Sequence, residues 1–273
     1  MNIVFFGTPD FAIPSLDIVN KSQHNVVAVV TAPDKERGRG RKVSYSPIKE
    51  YALVHDIPCL QPEKLKDQDF EDALKKINAD LFVIVAFRIL PRSIFTMPPK
   101  GSFNLHGSLL PKYRGAAPIH WAIINGDKKT GVTTFFLEDK VDTGNMIFQS
   151  ELDILEEDNL GTIHDKMSVL GADLVLKTVN AIENDTIKLQ LQDDILASPA
   201  PKISKELGLI DWKNSANKIH NLVRGLSPFP AAYFLYEGRK YKIFKTKIDD
   251  NISLKAGELK KTKNELYVGC SDK

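Results

Sequence analysis

The 273-residue chain reads as an α/β protein: a mostly parallel sheet with helices on both faces, followed by a small, basic, β-rich second domain. Three observations predict this. Short, wholly apolar runs of the kind that form buried strands alternate with helical patterns along roughly the first 150 residues. Gly, Pro and Asp punctuate the changes between them. After a Pro, Ser and Ala stretch near residue 200, the rhythm gives way to lysine-rich, hairpin-like segments.

Taken in order, residues 3–6 (IVFF) form a buried strand that ends at Gly7-Thr8-Pro9. Asp10 is placed to cap a helix running to about Asn20. Strands follow at 26–31, at 81–86 after a Lys-rich amphipathic helix over 68–78, at 102–106 and at 131–137. Buried strands joined by helices imply right-handed crossovers and parallel pairing. Two segments break the pattern. Residues 33–47, PDKERGRGRKVSYSP, form a loop bounded by prolines, and its stretch 35–42 carries five positive charges against one negative. The region around 193–205, DDILASPAPKISK, has no apolar period and reads as a linker. The expected division is a first domain over 1–190, a linker over 191–205 and a β domain over 206–273. In the last, a helix is expected over 214–225, a hairpin over 231–248 turning at Glu237-Gly238, and short strands over 254–259 and 265–269.

Composition excludes several classes. Apolar content of 42% and charged content of 26% are those of a globular protein. Cys59 and Cys270, far apart, build neither a disulfide framework nor a metal-type spacing, which points to a reducing compartment. MNIVFFGTPDF is neither a signal nor a transit peptide, and LFVIVAF at 81–87 is too short to span a bilayer. A cytoplasmic protein with no membrane partner and no metal is expected. The net charge of +2 hides an asymmetry: residues 202–273 hold fifteen Lys and Arg against eight Asp and Glu, while 1–201 are net acidic. That imbalance points to a polyanionic partner.

The most informative stretch is FNLHGSLLPKYRGAAP, residues 103–118. Alternation along a strand puts Asn104 and His106 on one face. They stand at the strand's C-terminal end, where open α/β sheets bind ligands. A carboxamide and an imidazole converging on one point suit a developing oxyanion. Ser108-Leu109-Leu110-Pro111 would form a wall beside them. Asp142, in LEDKVDTGNMI, could supply a carboxylate to orient the imidazole or manage a proton. An Asn, His and Asp set has no strong nucleophile of its own, so it suits attack by a substrate amine on a carbonyl.

These residues carry a resemblance. N-x-H-G-S-L-L-P-x-x-R-G-x-x-P, held by Asn104 through Pro118, is similar to the signature of the folate-dependent formyltransferases. VFFGTPDF, the strand end at 85–87, DTG at 142–144, the GRGR loop, APKISK at 200–205, IDW at 210–212 and RGLSPFP at 224–230 extend the likeness in order. Almost the whole chain resembles the bacterial branch of that family that formylates methionyl initiator tRNA.

The resemblance implies a Rossmann-like catalytic domain and a barrel-like, OB-like second domain. It implies transfer of the formyl group of 10-formyltetrahydrofolate to the α-amine of methionyl initiator tRNA, with Asn104, His106 and Asp142 as the catalytic trio. Phe87, Arg88, Ile89, Leu90, Ser108, Leu109, Leu110, Pro111 and Val141 would contact the folate. Arg37, Arg39, Arg41, Lys42, Lys202 and Lys205 would contact the tRNA. The chain departs from the family at FRILP, 87–91, where many relatives carry Tyr-Gly, and at LYVGCSDK, beyond which relatives continue with further strands, so a shortened second domain is expected. Two other formyltransferase types share the chemistry, those acting on glycinamide ribonucleotide and on sugar nucleotides. The second domain argues against the first and the GRGR loop against the second. A nucleotide-binding oxidoreductase fits poorly, because GTPDFA at 7–12 is not G-x-G-x-x-G. A non-catalytic RNA-binding module would leave the three polar residues unexplained.

Overall fold

A computed structural model describes residues 1–37 and 42–273. The chain divides into two compact units. The first comprises Met1–Arg114, Gly131–Glu151 and Asp165–Ser198; the second comprises Gly115–Thr130, Leu152–His164 and Pro199–Lys273.

A seven-stranded sheet is formed by β1 (Asn2–Gly7), β2 (Asn25–Val30), β3 (Cys59–Leu60), β4 (Leu81–Val85), β5 (Ser102–His106), β6 (Lys129–Phe136) and β7 (Met146–Asp153), in the spatial order β7-β6-β5-β4-β1-β2-β3. β1 runs parallel to β2 and β4, β2 to β3, and β4 to β5, while β6 runs antiparallel to β5. The central strands lack apolar–polar alternation because both faces are covered: Ile3, Val4, Phe5, Phe6, Leu81, Phe82 and Val83 are all buried. The longer helices are α1 (Ile13–Asn20), α2 (Pro47–Val54), α3 (Gln68–Ile77), α4 (Pro118–Ile124), α5 (Leu160–Glu183) and α6 (Ala216–Gly225), with one further turn of helix at Arg92–Phe95. Among the described residues no helix is long and apolar enough to cross a membrane.

On one face, Phe70 and Leu74 of α3 close over Phe6, Val30 and Ile84, together with Leu90, Ile94 and Phe95. The other face carries α5. A Cβ at Gly171 would lie 2.6 Å from Leu105 Cδ2, so the helix reaches β5 only because residue 171 has no side chain. Thr178 and Thr134 share a hydrogen bond of 2.9 Å on the same face.

Several local expectations shift. Asp10 does not cap the α-helix: it opens a 3-10 turn, Asp10–Ala12, and its carboxylate accepts from Phe11 N–H at 3.0 Å. Pro14 explains this, since it has no N–H to give the Asp10 carbonyl, and α1 begins at Ile13. The segment expected as loop over 33–47 contains two paired three-residue strands, Lys35–Arg37 and Lys42–Ser44, and ends at Ser46, which caps α2 by accepting from Lys49 N–H at 3.1 Å.

In the second unit, Ile210, Ile219, Val223, Leu226 and Ala232 form a core that Trp212 and Ile124 flank. Gly225 lets α6 approach α4, because a Cβ there would meet Ile124 Cγ1 at 2.6 Å. Ser215 caps α6 by accepting from Lys218 N–H. The expected hairpin is β8 (Ala232–Tyr236) and β9 (Arg239–Ile243), with Tyr236 opposite Arg239. Glu237 and Gly238 at φ 47° and 71° give the primed turn whose twist suits a two-residue connection. β10 (Leu259–Lys261) and β11 (Leu266–Val268) form a second antiparallel pair, and the strand expected over 254–259 is displaced by the turn at Gly257, φ 82°.

Burial pushes the His120 imidazole down to about 4 from 6.5, with the nearby His164 adding to the shift. The folded protein therefore keeps His120 neutral where the unfolded chain protonates it, so stability is present above pH 6.5 and lost as pH falls from 6.5 towards 4. Denaturant titrations at the two ends of that window should show the parent losing about 2 kcal/mol more than His120→Gln, after allowance for partial solvent screening.

Candidate active site

Asn104 and His106 leave β5 on one face, opposite Phe135 and Thr133 of β6. His106 is 5% exposed. Its Nε2 lies 2.8 Å from the Tyr113 carbonyl, which only accepts, so Nε2 carries a proton. Nδ1 is left facing Asp142, whose Oδ2 is 3.7 Å away. That is beyond a direct hydrogen bond and of a length that one shared atom, from water or substrate, can bridge. Both carbonyl and carboxylate partners sit in left-handed backbone: Tyr113 at φ 61° and Asp142 at φ 56°. Non-glycine residues hold that conformation when the surroundings enforce it. Asn104 is half-buried, and its carboxamide has no hydrogen-bond partner among the described residues, so its N–H is available.

The Asp142 loop is held from several sides. A Cβ at Gly144 would lie 1.7 Å from the Phe136 carbonyl oxygen, so only glycine fits. The Gln192 carboxamide donates to the carbonyls of Asp142 (2.9 Å) and Gly144 (2.8 Å). The turn after His106 is fastened too. Thr133 Oγ donates to the Ser108 carbonyl (2.7 Å) and accepts from Leu110 N–H (3.1 Å), and Gln149 donates to the Leu110 carbonyl (2.8 Å).

Around this pair the singled-out residues divide. Ser108 is buried with its hydroxyl donated to the Lys112 carbonyl at 2.6 Å. Leu109 lies against Gly131, and Leu110 belongs to a small core with Phe135 and Met146. Pro111 follows a cis peptide. Phe87 packs edge-on to Phe6 at 5.6 Å, and Leu90 is buried beside it. Arg88 is tied down, donating to the carbonyls of Glu63 (3.0 Å) and Pro62 (2.8 Å). Ile89 and Val141 present apolar surface to solvent, at 74% and 48% exposed.

A cavity of about 730 Å³ borders the Asp142 loop, and Arg92, Phe95, Leu137, Lys140, Thr143 and Gln192 contribute to its wall. The sequence assigned none of these six a role, although Thr143 stands in the DTG motif. Leu137, Lys140 and Thr143 were legible as flanks of Asp142; Gln192 lies 50 residues away and left no local signal. Among the described residues no group of three or more His, Cys, Asp or Glu could hold a metal ion.

Of the basic residues, Arg39 and Arg41 lie outside the described residues. Arg37 and Lys42 are register partners in the short strand pair. The root of that segment is pinned by Asp34, which accepts from Gln61 and Lys49, and these bonds hold the Asp34 carboxyl below its ordinary range. Lys202 and Lys205 are exposed, in the second unit.

A strand-end imidazole faces a carboxylate on a loop whose flanks, Lys140 and Thr143, border the cavity, at the sheet end where α/β transferases bind their substrates. Residues 1–179 match the formyl transferase family and residues 202–273 match the formyl transferase C-terminal domain. The chain belongs to the formyl transferase family. It is 53% identical over 237 residues to methionyl-tRNA formyltransferase of Bacteroides thetaiotaomicron, covering 85% of this chain and 74% of that one. It is 47% identical over 278 residues to methionyl-tRNA formyltransferase of Flavobacterium johnsoniae, covering 100% and 88%. Among solved structures its fold is similar to WlaRD, a sugar 3N-formyl transferase crystallised with dTDP and 5-N-formyl-THF, with a TM-score of 0.75 at 22% identity over 100% of this chain and 94% of that one.

Gly144→Ala should destabilise the protein by about 3 kcal/mol or more and displace Asp142, because the clash is with backbone that cannot turn aside. Gly238→Ala, where a Cβ meets open space, should cost only about 1 kcal/mol for its φ of +71°. Thermal unfolding of the two variants checks the contrast.

Proposed function

We propose that this enzyme transfers the formyl group of 10-formyltetrahydrofolate to the α-amine of methionyl initiator tRNA. The observation that carries the reading is the buried imidazole with its Nδ1 edge turned to a carboxylate 3.7 Å away. Residues 1–190 would house the chemistry, 191–205 would link, and 206–273 would hold tRNA. The cavity beside Asp142 has a volume within the range of small-molecule sites and both apolar (Phe95, Leu137) and polar lining, which suits the ring system of the donor.

In this mechanism the neutral α-amine forms a C–N bond to the formyl carbon while the carbonyl electrons move onto oxygen. The Asn104 amide donates to that oxygen, and so does Nδ1–H of His106 in its doubly protonated form, with the Asp142 carboxylate facing the ring. Because Nε2–H is committed to Tyr113, Nδ1 is the edge that does this work. Asp142 accepts the proton the amine sheds, directly or through one water. The same carboxyl returns it to the departing nitrogen as the carbonyl re-forms and the old C–N bond breaks, so no net proton is gained. Burial of His106 keeps the donors out of bulk water, where each is worth more.

The tRNA reading is supported by relatives that bear the methionyl-tRNA formyltransferase name, by the basic segment 35–42 and by the excess of lysine after residue 201. Arg37, Arg39, Arg41, Lys42, Lys202 and Lys205 would make phosphate contacts, which position without specifying sequence.

The deciding experiment supplies 10-formyltetrahydrofolate with methionyl initiator tRNA, glycinamide ribonucleotide or an amino-sugar nucleotide. Formyl transfer to the tRNA is expected, and transfer to a small acceptor alone would overturn the assignment. His106→Ala should lower turnover by ~10²–10³-fold while tRNA binding is retained. Binding should weaken steeply as salt rises.

A further inference from the structure

The dipeptide Tyr113–Arg114 reaches both members of the pair. Tyr113 receives His106 Nε2–H on its carbonyl at 2.8 Å. Arg114 donates from Nε (3.0 Å) and a terminal nitrogen (2.8 Å) to the Gln192 side-chain oxygen. This fork settles which end of the Gln192 carboxamide is oxygen, and it turns the NH2 towards the Asp142 and Gly144 carbonyls, at 2.9 and 2.8 Å. Asp194 pairs with Arg114 at 2.7 Å. Ser198 fastens the dipeptide itself, accepting from Tyr113 N–H on its hydroxyl and from Arg114 N–H on its carbonyl, both at 2.9 Å. All of these residues belong to the first unit.

We propose that Gln192, oriented by Arg114, is a positioning residue that sets the distance between Asp142 and His106. The proposal rests on the reading of His106 and Asp142 as the reacting pair. One short piece of chain grips the imidazole through Tyr113 and the carboxylate's main chain through Arg114 and Gln192. Movement of the Asp142 loop therefore has to stretch two hydrogen bonds from Gln192 before the His106–Asp142 gap can change. Arg114 is mostly shielded, with its side chain 16% exposed, while its partner Asp194 is 83% exposed. The interaction that matters is then the fork to Gln192, and the exposed ion pair adds little.

Gln192→Glu is the sharpest probe. It is nearly isosteric and keeps an oxygen for Arg114, so the fold is retained, but it replaces the NH2 donor with an oxygen facing two carbonyls. Misplacement of a catalytic group by about 1 Å can cost ~10²-fold in rate. The expected result is a 10–100-fold fall in kcat for formyl transfer from 10-formyltetrahydrofolate to methionyl initiator tRNA, with KM for both substrates within about twofold of the parent. Arg114→Lys, which cannot fork, should give a smaller fall of the same kind. In an Asp142→Asn background Gln192→Glu should add almost nothing, because it acts through the residue already disabled. A crystal structure of Gln192→Glu should show the carboxylate displaced from the imidazole. If Gln192→Glu keeps parental kcat while Asp142→Asn is inactive, the positioning role is overturned and the reacting pair stands. If Asp142→Asn turns over at the parental rate, both fall.

Discussion

The hydrogen bond from His106 Nε2–H to the Tyr113 carbonyl uses up one edge of the imidazole and leaves the other to face Asp142. Both nitrogens carry protons in the imidazolium, so committing Nε2–H to a carbonyl leaves Nδ1 as the edge turned towards the site. The strand supplies direction, because β5 delivers Asn104 and His106 from one face at its C-terminal end. The turn that follows supplies the ring's orientation, because it folds back far enough to bring the Tyr113 carbonyl within 2.8 Å of Nε2. Without that return the ring could offer either edge, and the approach of Asp142 would carry no chemical meaning.

The return itself depends on backbone that ordinary residues avoid. Tyr113 and Asp142 both take positive φ, and Gly144 passes so close to the Phe136 carbonyl that no side chain would fit. Such positions persist only when neighbours over-determine them. Here the neighbours are polar: buried Thr133 and exposed Gln149 bind the turn after β5, and half-buried Gln192 binds the loop around Asp142. Their hydrogen bonds satisfy main-chain groups of the turn and the loop and so hold both in place. The parallel sheet beneath contributes the fixed frame, with β5 hydrogen-bonded on both edges.

Much of this could be read from the chain because local chemistry signals it. Wholly apolar runs announced the central strands, Glu237-Gly238 announced the hairpin turn, and the spacing of Asn104 and His106 announced a shared face. The departures have physical causes. Pro14 cannot donate to Asp10, so the helix starts late. β3 is two residues long, too short to carry any period. The long α5 does bear apolar residues at Ile163, Met167, Leu174, Val175, Val179 and Ile182, all buried, a helical spacing that bare inspection passed over. Ser108 and Leu110 look like the wall of a site in sequence, yet one satisfies its own turn and the other fills core. Gln192 was silent because its meaning is wholly tertiary: nothing near it in sequence says that two distant carbonyls will be waiting.

Chemistry and affinity are built here from different physics. The reacting pair depends on a few ångströms of frame, held by short hydrogen bonds and a covered sheet. The basic segment at 35–42 and the lysines after residue 201, in the proposed reading, would act through charge, over distances set by salt and with little demand on geometry. Asp34 stands where the two meet: it accepts from Lys49 and Gln61 at the root of the basic segment, beside the ends of β2 and β3. In the proposed reading, the positive charge of this segment would hold a phosphate backbone, and the frame around His106 would select the amine. Substitutions in the arm should therefore change how tightly an anionic acceptor is held without altering the His106–Asp142 geometry, and substitutions in the frame should do the reverse.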